Sequence, residues 1–167
     1  MRMSVRHLPT LLILLPLAGV LLVLVLPRGR ESLIRVLSLA VGVAELGLAL
    51  VAYSIFDGEI FGPQMEYRRL WIRDVGVQYH VGMDGVSLLL VTLTALLLPV
   101  AQLASWREVR IKVKEFSATL LAVTAGAIAA FVALDLAMFY ICLEITLLPL
   151  FLLIGVWGGE GRVYAAV

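Results

Sequence analysis

Glu144 stands inside FYICLEITLLPLFLLIGVW, residues 139–157, a run with no other charge and long enough to cross a bilayer. On insertion scales an acid near the middle of a span costs about 2.5 to 3.5 kcal/mol, so such residues face protein or water and serve a proton or ion pathway. Five residues on, Pro149 has no amide hydrogen for the carbonyl of Ile145, which frees a backbone acceptor and favours a kink beside the acid. Tyr140, four positions before Glu144, shares its helix face; its hydroxyl either holds the carboxyl, relays a proton, or packs as an ordinary aromatic. Asp135 opens the same run and either caps the helix or serves proton entry, roughly 13 Å from Glu144 along the axis. The chemistry open to this set is reversible protonation at mid-membrane depth.

A second acid lies in an apolar span. Ser38, Gly42, Glu45, Ala49 and Ala52 are spaced by four, three, four and three residues, a small-residue seam that lets helices approach closely. Glu45 on that seam is either a further proton carrier or a structural acid paired across the contact. Ala118, Ala122, Ala125, Ala129 and Ala133 form a comparable packing seam, able to meet the first one.

Other chemistries find no support. His7 and His80 have no companion at metal-ligand spacing and read as solvent or interface residues. GVWGGEGR lacks the lysine followed by Ser or Thr of a phosphate loop, and its glycines read as a helix end. Cys142 is the only cysteine, which excludes an internal disulfide or a cysteine-ligated cluster. No flavin, quinone or nicotinamide fingerprint and no nucleophile with its base are visible, so the chain is expected to carry no redox centre or cofactor. Thirteen basic and twelve acidic residues give a net charge of +1, which points to no nucleic-acid partner.

The elements that must position these residues follow from composition. The sequence is 62% hydrophobic with mean hydropathy +1.06, well above soluble domains, so the lipid bilayer is its solvent. Five spans are predicted at 8–26, 33–56, 85–105, 116–133 and 136–157, in one membrane domain covering residues 1–167. The class is an all-α polytopic transmembrane bundle. The first run follows Arg2, Arg6 and His7 as a signal core would, but it exceeds the usual length of about 7 to 15 residues and ends in PRGR, so it reads as a retained helix. Only Leu134 and Asp135 separate the last two spans, which requires a tight hairpin or one broken element. In the 57–84 connection, Val75, Val77, Tyr79 and Val81 alternate with Gly76, Gln78 and His80, which predicts a surface strand or hairpin. GRVYAAV, the last seven residues, reads as the start of a sixth helix in a chain that has been cut.

Basic residues set the expected orientation. Arg28, Arg30, Arg35, Arg107, Arg110, Lys112, Lys114 and Arg162 fall on one side; Arg2, Arg6, Arg68, Arg69 and Arg73 fall on the other, three of them diluted by acids of the long connection. The positive-inside rule puts the first group in the cytoplasm and the N-terminus outside.

YHVGMDGVSLLLV at 79–91 and FYICLEITLLPLFLLIGVWGGEGRVYAA at 139–166 resemble the M subunits of NADH-quinone oxidoreductase, the antiporter-like subunits of respiratory complex I. The resemblance implies that Glu144 is the family's proton-path glutamate of the fifth helix. It puts Asp135 on an acid near the start of that helix, and Asp84 and Gly85 in a structural signature before the third. It further implies a multi-pass protein of a bacterial cell membrane, partnered by other membrane subunits. NADH, FMN, iron–sulfur clusters and quinone would be held elsewhere in the complex. Subunits of sodium/proton antiporters and membrane-bound hydrogenases share the glutamate-to-proline pattern and give a second reading. A truncated scaffold that transports nothing gives a third.

Overall fold

The computed structural model describes residues 5–72 and 76–159. Five helices follow in chain order: α1 Leu8–Val25, α2 Glu31–Ile55, α3 Gly85–Ala104, α4 Val113–Val132 and α5 Leu136–Trp157. All five are long and apolar enough to cross a membrane. An antiparallel hairpin of β1 Gln64–Ile72 and β2 Val77–Met83 lies between α2 and α3. The architecture is therefore the polytopic helical bundle with a surface hairpin that the sequence implies.

Helix α4 is the centre of the bundle. It touches α1, α2, α3 and α5, with its broadest contacts on α1 and α5. Ten of its residues are buried, among them Ala118, Leu121, Ala125, Ile128 and Ala129. The alanine stripe meets α2 as the two seams allow, Ala118 beside Val41 and Ala129 beside Ala49 in shared apolar clusters, and it also lines the space between α1 and α5. Small side chains there let two neighbours approach one helix from different sides. The seam on α2 is realised as read: Ser38, Gly42, Glu45, Ala49 and Ala52 are all buried.

Helices α2 and α4 begin two and three residues before the predicted spans, at Glu31 and Val113. Their first turns carry Glu31, Lys114 and Glu115, so the helix outruns the apolar stretch that marks it in the sequence. Pro16, Pro99 and Pro149 all lie inside helices, and α5 continues through Pro149.

The two ends of the bundle differ in chemistry. At one end Lys114 Nζ donates to the Leu26 carbonyl at 2.7 Å, Arg35 to the Val109 carbonyl at 2.6 Å, and Trp157 Nε1 to the Ile111 carbonyl at 3.0 Å. Arg28 pairs there with Glu115 at 3.3 Å. At the opposite end the hairpin closes the bundle. Tyr79 Oη donates to Thr10 Oγ1 at 3.0 Å, the His7 and Tyr67 rings meet at a tilt of 53° with centroids 4.8 Å apart, and His80 lies 3.0 Å from Glu66. The turn between α4 and α5 is fastened to the hairpin, since the Leu134 amide donates to the His80 carbonyl at 2.8 Å and Val81 bridges Ala133. The last two spans are thus separate helices. Val75, Arg2, Arg73, Arg162 and the predicted start of a sixth helix lie outside the described residues.

Candidate functional site

Glu144 sits near the midpoint of α5, and it is exposed rather than buried. The reason is one-sided packing. α5 meets α4 through Thr146, whose Oγ1 occupies the space above Gly126, while Met138 alone among its residues is buried. Two positions along a helix turn about 200°, so Glu144 lies on the side opposite Thr146. Tyr140, 61% exposed, shares that outer face and lies close enough for its hydroxyl to interact with the Glu144 carboxylate.

Pro149 points the other way. With Ile13, Leu17, Ala122, Gly126 and Cys142 it lines an apolar cavity of about 530 Å³ between α1, α4 and α5. The carbonyl freed at Ile145 and the carboxyl of Glu144 belong to one turn, yet proline and acid face different neighbours.

Asp135 is the N-cap of α5, its Oδ1 accepting from the Met138 amide at 3.0 Å. Asp84 does the same for α3 with a reciprocal arrangement: its carboxylate accepts from the Ser87 amide at 2.7 Å, and its own amide donates to Ser87 Oγ at 2.8 Å. The Ser87 amide and hydroxyl hold the Asp84 carboxyl below the usual carboxylate range. Gly85 is the first residue of α3, and nothing lies within 4 Å of where its Cβ would be.

Among the described residues the carboxyl that is buried is Glu45, fully excluded on α2 between the apolar clusters that contain Val41 and Ala49. One turn and more away, Gln102 of α3 reaches across the seam, its Nε2 donating to Ser38 Oγ at 2.7 Å and to the Ser38 carbonyl at 3.1 Å. The sequence reading missed Gln102. An uncharged polar residue one turn from a span end looks like part of the loop boundary, and only its match to Ser38 on the seam would have marked it.

Among the described residues no group of His, Cys, Asp and Glu is placed to hold a metal ion. The arrangement offers proton chemistry at two carboxyls, one on an open helix face and one sealed in the bundle.

No family model matches the sequence. The chain is 36% identical over 165 residues to NADH-quinone oxidoreductase subunit M of Rhodobacter capsulatus, covering 96% of this chain and 32% of that protein. It is 42% identical over 123 residues to F(420)H(2) dehydrogenase subunit M of Methanosarcina mazei, covering 74% of this chain and 25% of that one. NAD(P)H-quinone oxidoreductase chain 4-1 of Synechocystis is 35% identical over 158 residues, 94% of this chain and 30% of the relative. The fold matches a chain of the Thermus thermophilus respiratory complex I with bound NADH, with a TM-score of 0.77 and 26% identity over 95% of this chain and 31% of that one. The chain spans about a third of the length of the curated oxidoreductase relatives it matches. With this likeness along nearly its whole length, the chain belongs to the family of NADH-quinone oxidoreductase subunit M and chain 4.

Proposed function

We propose that the chain is part of a proton-translocating subunit of an NADH:quinone oxidoreductase, in which Glu144 takes up and releases the proton. The observation that carries this reading is the place of Glu144: mid-span on α5, the least buried of the five described helices, on its exposed face with Tyr140 a turn away. A carboxyl facing hydrocarbon at that depth is costly, and the same carboxyl covered by protein and approached by a cation becomes a switch. The relatives are longer, and in this reading their further helices pack on the outer face of α5. In this reading the basic end of the bundle faces the cytoplasm, from which protons are taken up, and Asp135, at the opposite end, caps α5 on the side to which they are delivered.

Electron transfer belongs to partner subunits, which would hold NADH, FMN, iron–sulfur clusters and quinone. The likeness to an F(420)H(2) dehydrogenase subunit supports a role that does not depend on the electron donor. Moving one charge against about 100 mV requires about 2.3 kcal/mol, within reach of a cation that approaches and leaves a desolvated acid.

The test is proton flux in sealed vesicles holding the assembled complex. Glu144→Gln abolishes most redox-coupled pumping because the amide keeps the volume and cannot ionise, whereas Glu144→Asp keeps part. Near-normal pumping by the glutamine variant at normal assembly overturns the assignment.

A further inference from the structure

Glu45 is the only acidic or basic side chain buried among the described residues, and neither of its carboxyl oxygens has a hydrogen-bond partner. Among the described residues Gln102 Oε1 is the one other buried side-chain polar atom left without a partner. All three orphaned atoms are acceptors, or would be if Glu45 were ionised, so what the site lacks is a donor. The geometry brings them toward each other. A Cβ on Gly42 would lie 2.7 Å from Gln102 Oε1, so the amide oxygen fills the seam beside Gly42. Gly42 precedes Glu45 by three residues on the same face, and helical side chains lean toward the N-terminus, which directs the Glu45 carboxyl toward that turn.

The neighbours leave Glu45 no ionic partner. Helix α1 and helix α3 contain no charged residue, Lys114 and Glu115 of α4 lie in its first turn, and on α2 the other charged residues are Glu31 and Arg35. One end is nonetheless polar. Arg35, Ser38, Gln102, Ser105 and Ser117 help line a small cavity of about 10 Å³, close to the least that admits a water molecule.

We propose that Glu45 is a second proton-binding site, holding a proton that its carboxyl donates to Gln102 Oε1 and exchanging it through the Ser38 cavity with the basic end of the bundle. One proton pairs a Glu45 oxygen with Gln102 Oε1 and leaves only the carbonyl oxygen of a neutral carboxyl without a donor, and Gln102, anchored on Ser38 through its amide nitrogen, links the carboxyl to the cavity. Exchange swaps one hydrogen for another and leaves the site uncharged. This site is on a different helix from Glu144 and does not depend on the role given to that residue.

Infrared spectroscopy of the chain in lipid nanodiscs at neutral pH, in a Glu144→Gln background, tests it. Glu45→Gln should lose one protonated-carboxyl carbonyl band and keep its melting temperature, because the new amide also donates to Gln102. Gln102→Met should keep the band, shift it to the position of a carboxyl without a hydrogen bond, and slow its exchange in deuterated buffer. If Gln102→Met does not insert, Gln102→Asn withdraws the amide oxygen by one methylene and should give the same shift. Absence of a band that Glu45→Gln removes would show an ionised Glu45 and overturn the proposal. So would a band whose position and exchange ignore both Gln102 variants.

Discussion

Gly126 of α4 and Thr146 of α5 are in such close approach that a Cβ on the glycine would lie 2.1 Å from Thr146 Oγ1 and 3.1 Å from its Cβ. Thr146 Oγ1 is held in turn by the Cys142 carbonyl at 2.6 Å. The contact fixes the rotation of α5 about its axis, and with it the direction in which Glu144 points.

Gly126→Leu should therefore separate α4 from α5 and destabilise the solubilised protein by about 1–3 kcal/mol, as overpacking of a tight contact does. Gly126→Ala should be milder, and Thr146→Ala should recover much of its loss in a double-mutant cycle. Unfolding in graded detergent measures both. Equal losses for Gly126→Ala with and without Thr146→Ala would show that the threonine is not what the glycine makes room for.

The cap on α3 gives a pH dependence of known sign. Hydrogen bonds from Ser87 lower the folded-state value of Asp84 below its unfolded one, so its contribution is present above the unfolded value and is lost as pH falls through the folded value. Asp84→Ala should cost about 1 kcal/mol at neutral pH, the usual loss for an N-cap. Asp84→Asn should keep most of the cap and lose this acid-range dependence. Gly85→Ala, with open space around the new methyl, should fold as the parent does. Unfolding midpoints from neutral to acid pH check all three, and an asparagine variant with the parent's pH profile would remove Asp84 from the account.

The chemistry of the two ends predicts an orientation. In a Cys142→Ser background, a single cysteine at exposed Lys112 should react with a membrane-impermeant thiol reagent only from the cytoplasm. One at Phe61, in the fully exposed turn before β1, should react only from outside. The reverse pattern would invert the topology. Labelling of intact cells against inverted vesicles gives the answer directly.

The helices were legible because runs of about 20 apolar residues have no other stable place than a bilayer. The seam of α2 was legible because small residues at spacings of three and four share a face, and Glu45 is buried for that reason. Asp135 at the head of α5 was legible as one of two readings, a cap or a proton entry, from its position before an apolar run, and it does cap the helix. What the sequence could not show was which side of α5 packs. Its residues are apolar all round, so no periodicity separates the Thr146 face from the Glu144 face; that choice is made by Gly126 on another helix. The partner of Ser38 was hidden for a similar reason, since Gln102 is 64 residues away and only the antiparallel packing of α2 and α3 brings them together.

A proton path needs access from both sides of the membrane, and the 167-residue chain provides it from one. From the basic end, the polar side chains of Ser38 and Gln102 lead toward Glu45. Beyond Glu45 toward the hairpin, the buried side chains include Ala49, Ala52, Leu88, Val91 and Val132, hydrocarbon members of one apolar cluster. Glu144 lies outside that bundle, and α5 carries no lysine or arginine to change its affinity for a proton. The chain alone in liposomes should accordingly conduct no protons above the lipid background and exchange no sodium, although Glu45 still exchanges its proton with one side. A dye-monitored pH jump across the vesicle wall measures this. Flux that disappears in Glu45→Gln would show that the apolar cluster opens to water. Flux that disappears in Glu144→Gln would show that the outer face of α5 conducts without further helices.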